Sequence, residues 1–282
     1  MPTVLEILTV SSGFLTEKKI ESARLNAELL LAHVLNCKRF DLYLRYDKPL
    51  TDIELENYRS LVRRRIKNEP YQYITGNCQF YGLNFKCDNR ALIPRPETEL
   101  LVEAVIDETK QVNNPSILDV GTGSGNIIIS LAKNLKIGEF TSIDVSVEAL
   151  NLARENAALN NCEKINFINA SIFNFEGQGK KYDAIVSNPP YVSQKDYNEL
   201  PPEILHFEPE IALTDKQDGL MFYRMIVQRG KDWLKQGGKI YFEAGFGQSE
   251  QISNILEQNG FSEIKIKNDY SHIPRIISGV KK

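Results

Sequence analysis

Along residues 3–70, apolar side chains recur at three- and four-residue spacing, the pattern of helices. Between Glu17 and Asn36 the stripe is Ile20, Ala23, Ala27, Leu30, Leu31 and Val34. Another helix is expected from Thr51, where Glu54 three residues on completes a capping box. It runs through Leu55, Tyr58, Leu61, Val62 and Ile66 to Asn68, and Pro70 stops it. Over residues 77–93 the period changes to two, with Phe80, Leu83 and Phe85 apolar and Gly82 and Asp88-Asn89 as breaks, which predicts a hairpin. From residue 97 helical and strand patterns alternate. Strands are expected at 116–120, 140–144, 165–169, 182–187, 238–244, 263–267 and 274–279. Such alternation predicts an α/β fold, a mostly parallel sheet with helices on both faces. The expected division is a helical domain at 1–75, a hairpin linker at 76–95 and an α/β domain at 96–282.

Two motifs sit where strand patterns end. The first is Asp119-Val120-Gly121-Thr122-Gly123-Ser124-Gly125, between a short apolar strand and a helical pattern. Its glycines let a ligand approach the backbone, and the helix start offers free N–H groups. The spacing GxGxG differs from the dinucleotide fingerprint GxGxxG. The next strand ends in Asp144, and two readings of that acid stand: an acceptor for the two hydroxyls of a ribose, or the N-cap of a helix Val147–Asn160.

The second motif is Asn188-Pro189-Pro190-Tyr191, following the buried-strand pattern Tyr182–Ser187. Each proline fixes its own φ and pushes the preceding residue toward an extended conformation. A stiff corner results, with a side-chain amide and backbone carbonyls able to accept hydrogen bonds and an aromatic ring beside them. That equipment suits a planar –NH2 group held by its two hydrogens with a ring on its face. A plain Pro-Pro turn, with Tyr191 as a core residue, is the alternative.

Composition narrows the field. Formal net charge is -3, which disfavours a general nucleic-acid binder. The run Arg63-Arg64-Arg65-Ile66-Lys67 is a local basic patch, read as the solvated face of a helix or as a partner contact. Cys37, Cys78, Cys87 and Cys162 show no CxxC spacing and His33, His206 and His272 lie far apart, so no metal is expected. No apolar run is long enough to span a bilayer and no signal peptide opens the chain, so a cytoplasmic location is expected.

Together these motifs make the chain resemble class I S-adenosylmethionine-dependent methyltransferases. Further strings narrow the likeness: Ile93-Pro94-Arg95-Pro96-Glu97-Thr98-Glu99, Asp218-Gly219-Leu220 and Glu243-Ala244-Gly245-Phe246-Gly247-Gln248. With the Asn-Pro-Pro-Tyr motif, this array resembles the release factor glutamine methyltransferases. The resemblance implies a Rossmann-like, seven-stranded sheet closed by an antiparallel strand, after a helical domain that recognises the substrate. It implies S-adenosylmethionine held by Gly121, Thr122, Gly123, Ser124, Gly125, Asp144, Ile172 and Asn188. It also implies a catalytic role for Asn188, Pro189 and Tyr191, with Pro190 in the substrate site. The implied partner is a peptide chain release factor, methylated on the glutamine of its Gly-Gly-Gln loop by a monomeric enzyme. One departure stands out. Where the family has an acid followed by a bulky aromatic at the adenine pocket, this chain has Ser171-Ile172-Phe173. Arg95 and Glu97 are read either as structural or as positioning cofactor or substrate, and Glu243 as shaping the pocket near Asn188. The Asn-Pro-Pro-Tyr motif alone also suits methylation of an exocyclic amine in DNA or RNA, with Tyr191 on a flipped base.

Overall fold

Alternate side chains of the central strands enter two different cores. In the computed structural model, which describes residues 1–282, Leu118, Ile185, Ile240 and Phe242 pack on one face of a sheet. Ile117, Ala184, Val186 and Tyr241 pack on the other. This two-residue period is what a pleated strand buried on both faces requires. Helices Met221–Trp233 and Ser249–Gln258 supply the first core, and helices Thr98–Thr109 and Asn126–Leu135 the second.

A hairpin of β1 (Asn77–Phe80) and β2 (Leu83–Lys86) precedes this sheet. The sheet consists of β3 (Ser116–Val120), β4 (Glu139–Asp144), β5 (Asn166–Asn169), β6 (Tyr182–Ser187), β7 (Leu234–Glu243), β8 (Phe261–Asn268) and β9 (Pro274–Lys281). Their order is β5-β4-β3-β6-β7-β9-β8. β3 pairs in parallel with both β4 and β6, so the winding reverses there and the ends of β3 and β6 flank a switch point. The last two strands do form a hairpin, but β9 inserts between β7 and β8, antiparallel to both.

The chain forms two compact units whose division does not follow chain order. One comprises Met1–Gly76 together with Pro201–Phe207, and the other Asn77–Leu200 with Glu208–Lys282. The hairpin clusters with the sheet. In the helical unit, the stripe expected from Glu17 is interrupted: Lys19 and Ser22 have positive φ, and the helix begins at Ala23. The capping box at Thr51 is present, with Glu54 Oε2 accepting from the Thr51 N–H at 2.8 Å. Arg65 leaves the basic run for the interior. Its guanidinium donates to Asn26 Oδ1 at 2.7 Å and to Glu203 Oε2 at 2.5 Å, tying Pro201–Phe207 into this unit. Arg63 and Arg64 stay on the surface, paired with Glu56 and Glu69. No helix is long and apolar enough to cross a membrane.

Candidate active site

The glycine turn at the end of β3 is shaped by left-handed backbone: φ is +89°, +52° and +81° at Gly121, Gly123 and Gly125. A Cβ at Gly121 or Gly123 would meet nothing within 4 Å, so the backbone there stays open to a ligand. At Gly125 a Cβ would lie 2.8 Å from Ile129 Cδ1 and 3.1 Å from Ala153 Cβ, so that glycine serves close helix packing. The N–H of Gly123 donates to Asp144 Oδ2 at 2.9 Å, and that of Ser146 to Asp144 Oδ1 at 2.8 Å. The helix Val147–Leu159 is capped by Ser146, whose hydroxyl accepts from Ala149 N–H, so Asp144 is not the N-cap. Burial raises the carboxyl of Asp144 above its ordinary range, against three backbone N–H groups that lower it.

Asp119 is fully buried beneath the turn. Ser142 Oγ donates to its Oδ2 at 2.7 Å, and Thr122 Oγ1 lies 2.7 Å from Ser142 Oγ, so the acid anchors the turn from below. Its Oδ1 has no hydrogen-bond partner, and burial pushes the group up to about 8.

The Asn-Pro-Pro-Tyr corner follows β6. Ser187 Oγ donates to the Val120 carbonyl at 2.6 Å, which joins the ends of β6 and β3 and sets Asn188 beside the glycine turn. Asn188 Nδ2 donates to Thr98 Oγ1 at 3.3 Å, and Thr98 Oγ1 donates to buried Glu243 Oε2 at 2.5 Å. Glu243 therefore reaches Asn188 through Thr98. Tyr191 departs from the expectation of a ring facing the substrate. It is absent from the cavity lining and packs half-buried against the core, where burial pushes its hydroxyl up to about 12.

The strings around Gly219 and Gly245 find their place against this tyrosine. Gln248 Nε2 donates to the Tyr191 carbonyl at 2.9 Å, and Gln248 Oε1 accepts from Gly245 N–H at 3.1 Å. A Cβ on Gly219 would fall 2.3 Å from the Tyr191 carbonyl oxygen, and one on Gly245 2.9 Å from Tyr191 Cδ2. Both glycines let the chain pack directly on the corner.

These pieces share one cavity of about 310 Å³, within the size range of small-molecule sites. Gly121, Thr122, Gly123, Ser124 and Asp144 line one part of it, and Asn188, Pro189, Pro190 and Thr98 another. Gly125 does not line it. Ser171, Ile172 and Phe173 all do; Ile172 is buried, while the half-exposed Phe173 ring stands 6.5 Å from that of Phe222.

Three residues that sequence reasoning missed hold this wall together. Glu208, buried, accepts from the Ile93 N–H at 3.2 Å and from Arg95 Nη2 at 2.5 Å, so Arg95 pairs with a glutamate far along the chain. Asn156, fully buried, donates to the Ser124 carbonyl at 2.9 Å and accepts from Lys86 N–H at 2.7 Å, joining β2 to the turn. Arg90 lines the cavity and bridges Asp88 and Glu155. Nothing local in the sequence marks Glu208 or Asn156, because their partners come from distant segments.

Two family models match this chain: one described as PrmC N-terminal domain over residues 6–76, the other as methyltransferase domain over residues 111–265. A release factor glutamine methyltransferase from Fusobacterium nucleatum is 39% identical over 278 residues, 98% of this chain and 78% of that protein. The chain belongs to the release factor glutamine methyltransferase family. A second member, from Chlorobaculum tepidum, is also 39% identical, over 98% of this chain and 96% of its own. At the level of fold, a crystal structure of a methyltransferase from Pyrococcus furiosus superposes with a TM-score of 0.52 at 18% identity, covering 80% of this chain and 98% of that one. The methyltransferase fold and the family imply use of S-adenosylmethionine.

Proposed function

We propose that this protein transfers a methyl group from S-adenosylmethionine to the side-chain amide nitrogen of the glutamine in the Gly-Gly-Gln motif of peptide chain release factors. The observation that carries the reading is the single cavity lined both by the open glycine turn with Asp144 and by Asn188-Pro189-Pro190. The donor set fits the cofactor. Asp144 offers a carboxylate for the ribose, the backbone at Gly121 and Gly123 is open, and Thr122 and Ser124 complete that wall. Gly125 allows the close packing of the following helix. Ile172 supplies an apolar face for the adenine, and the Phe173 ring stands in for the aromatic displaced by one position. When bound, S-adenosylmethionine supplies an electrophilic methyl group.

The chain's own contribution is orientation. An amide nitrogen is a poor nucleophile because its lone pair is delocalised into the carbonyl. Asn188 Oδ1 and the Pro189 carbonyl accept its two hydrogens, raising electron density on the nitrogen and aiming it. Alignment of this kind accounts for roughly 7–11 kcal/mol of a barrier. Pro190 stiffens the corner, and Tyr191 serves as its anchor in the core rather than as a stacking face. The helical unit offers the second surface that a folded protein substrate needs for an interface of ordinary size. The protein acts as a monomer in the cytoplasm, where release factors work.

Calorimetry with S-adenosylmethionine and transfer from methyl-labelled cofactor to purified release factor test this reading. Saturable cofactor binding with label on the factor is expected. Cofactor binding without any labelling of the factor would overturn it.

A further inference from the structure

A side-chain amide can present either of two ends, and they are nearly the same size and shape. For Asn188 to accept a substrate hydrogen, Oδ1 must face the substrate and Nδ2 must face away. Something in the fold has to decide between the two.

The chain Asn188–Thr98–Glu243 makes that decision. A threonine hydroxyl has one hydrogen to give. Thr98 Oγ1 lies 2.5 Å from Glu243 Oε2, and an ionised carboxylate can only accept, so once Glu243 has lost its proton, above about pH 7, the hydroxyl hydrogen is committed there. The same oxygen is then left as an acceptor, and the group beside it at 3.3 Å must be the Asn188 –NH2. Thr98 and Glu243 are each 2% exposed, so water does not compete for these bonds. Position supports the same conclusion. Thr98 opens the helix Thr98–Thr109 and lines the cavity, and Glu243 ends β7, the neighbour of β6. Burying a carboxylate is costly unless its hydrogen bonds are met, and Thr98 supplies one.

We propose that Thr98 and Glu243 are positioning residues: the Glu243 carboxylate, acting through the Thr98 hydroxyl, fixes which end of the Asn188 amide faces the substrate glutamine. The proposal rests on the functional reading above. It adds that an isosteric loss of the Thr98 hydroxyl releases the amide to turn, so that Oδ1 is offered for only part of the time.

The test is a set of variants assayed by single-turnover methylation of intact release factor. Thr98→Val keeps shape and removes the hydroxyl. It should lower the rate at saturating substrates about three- to tenfold, as loss of one orienting hydrogen bond implies. The KM for release factor and the dissociation constant for S-adenosylmethionine should stay within about twofold of wild type on the same argument. Thr98→Ser, which keeps the donor, should restore the rate. Because the effect passes through Asn188, Thr98→Val should cost nothing further in an Asn188→Ala background. Glu243→Gln gives an independent reading if Thr98→Val does not fold: its –NH2 can donate to Thr98, the hydroxyl is no longer committed, and the rate falls. Wild-type rates in both Thr98→Val and Glu243→Gln overturn the proposal, as does an undiminished Thr98→Val effect without Asn188. If wild-type protein itself does not methylate release factor, the functional reading fails instead.

Discussion

At the scale of single residues, Asn188 and Asp144 line one cavity, and the proposed reaction gives them separate tasks. Asn188→Ala removes an orienting acceptor and little buried surface. The variant should fold and bind S-adenosylmethionine while losing transfer by roughly 2.7–4 kcal/mol of barrier, the usual effect of deleting a group that acts in the transition state. Turnover like wild type in folded Asn188→Ala would refute the orientation mechanism. Asp144→Ala should instead weaken cofactor binding by about 1.5–3 kcal/mol, since the ribose loses a charged acceptor. Calorimetry checks this, and unchanged affinity would assign Asp144 to holding the turn alone. Asn188 and Asp144 were both legible in the sequence, because each sits at the end of a strand pattern next to glycine or proline. Thr98 was visible only as part of a string. Its link to Glu243 spans 145 positions and is made by folding alone.

At the scale of elements, the Asn-Pro-Pro-Tyr corner is held from behind by segments that carry no chemistry. Gly219→Ala sets a methyl group 2.3 Å from the Tyr191 carbonyl oxygen and strains the left-handed φ of +78° at that position. The corner must shift. A misplacement of about 1 Å can cost about 10²-fold in rate, so transfer should fall steeply while cofactor affinity holds, measured by the same two assays. Strand positions were readable because each strand is short, apolar and buried on both faces. The insertion of β9 between β7 and β8 was not, since pairing order is a tertiary choice that local pattern does not encode. Tyr191 shows the same limit. Sequence gave an aromatic next to the corner, but its direction was decided by the space that Gly245 leaves open.

At the scale of the whole molecule, buried acids and surface ion pairs oppose each other as pH changes. Burial raises Asp119 to about 8 and Glu243 to about 7, so the folded protein keeps protons that the unfolded chain loses near its ordinary carboxyl values. Their contribution to stability therefore declines as pH rises from about 4 to about 8. Glu155, lowered to about 2 by hydrogen bonds from Arg90 and Lys86, behaves in the opposite way: its contribution is present above the ordinary value and fades as pH falls toward 2. Asp119→Asn should flatten the decline on the neutral side, visible as a smaller loss of Tm between pH 5 and 8. An unchanged slope would mean that Asp119 is not titrating there. The division of the chain carries a further consequence. Pro201–Phe207 belongs to the helical unit, so cutting away the first 70 residues would strip that segment of Arg65 and of its packing.

The central claim is the identity of the methylated atom. Purified protein incubated with methyl-labelled S-adenosylmethionine and a mixture of intact release factor, tRNA and DNA should place the label on the glutamine amide of the Gly-Gly-Gln loop, located by mass spectrometry of the digested products. Label on a base amine of the tRNA or DNA, with the release factor unmodified, would contradict the account.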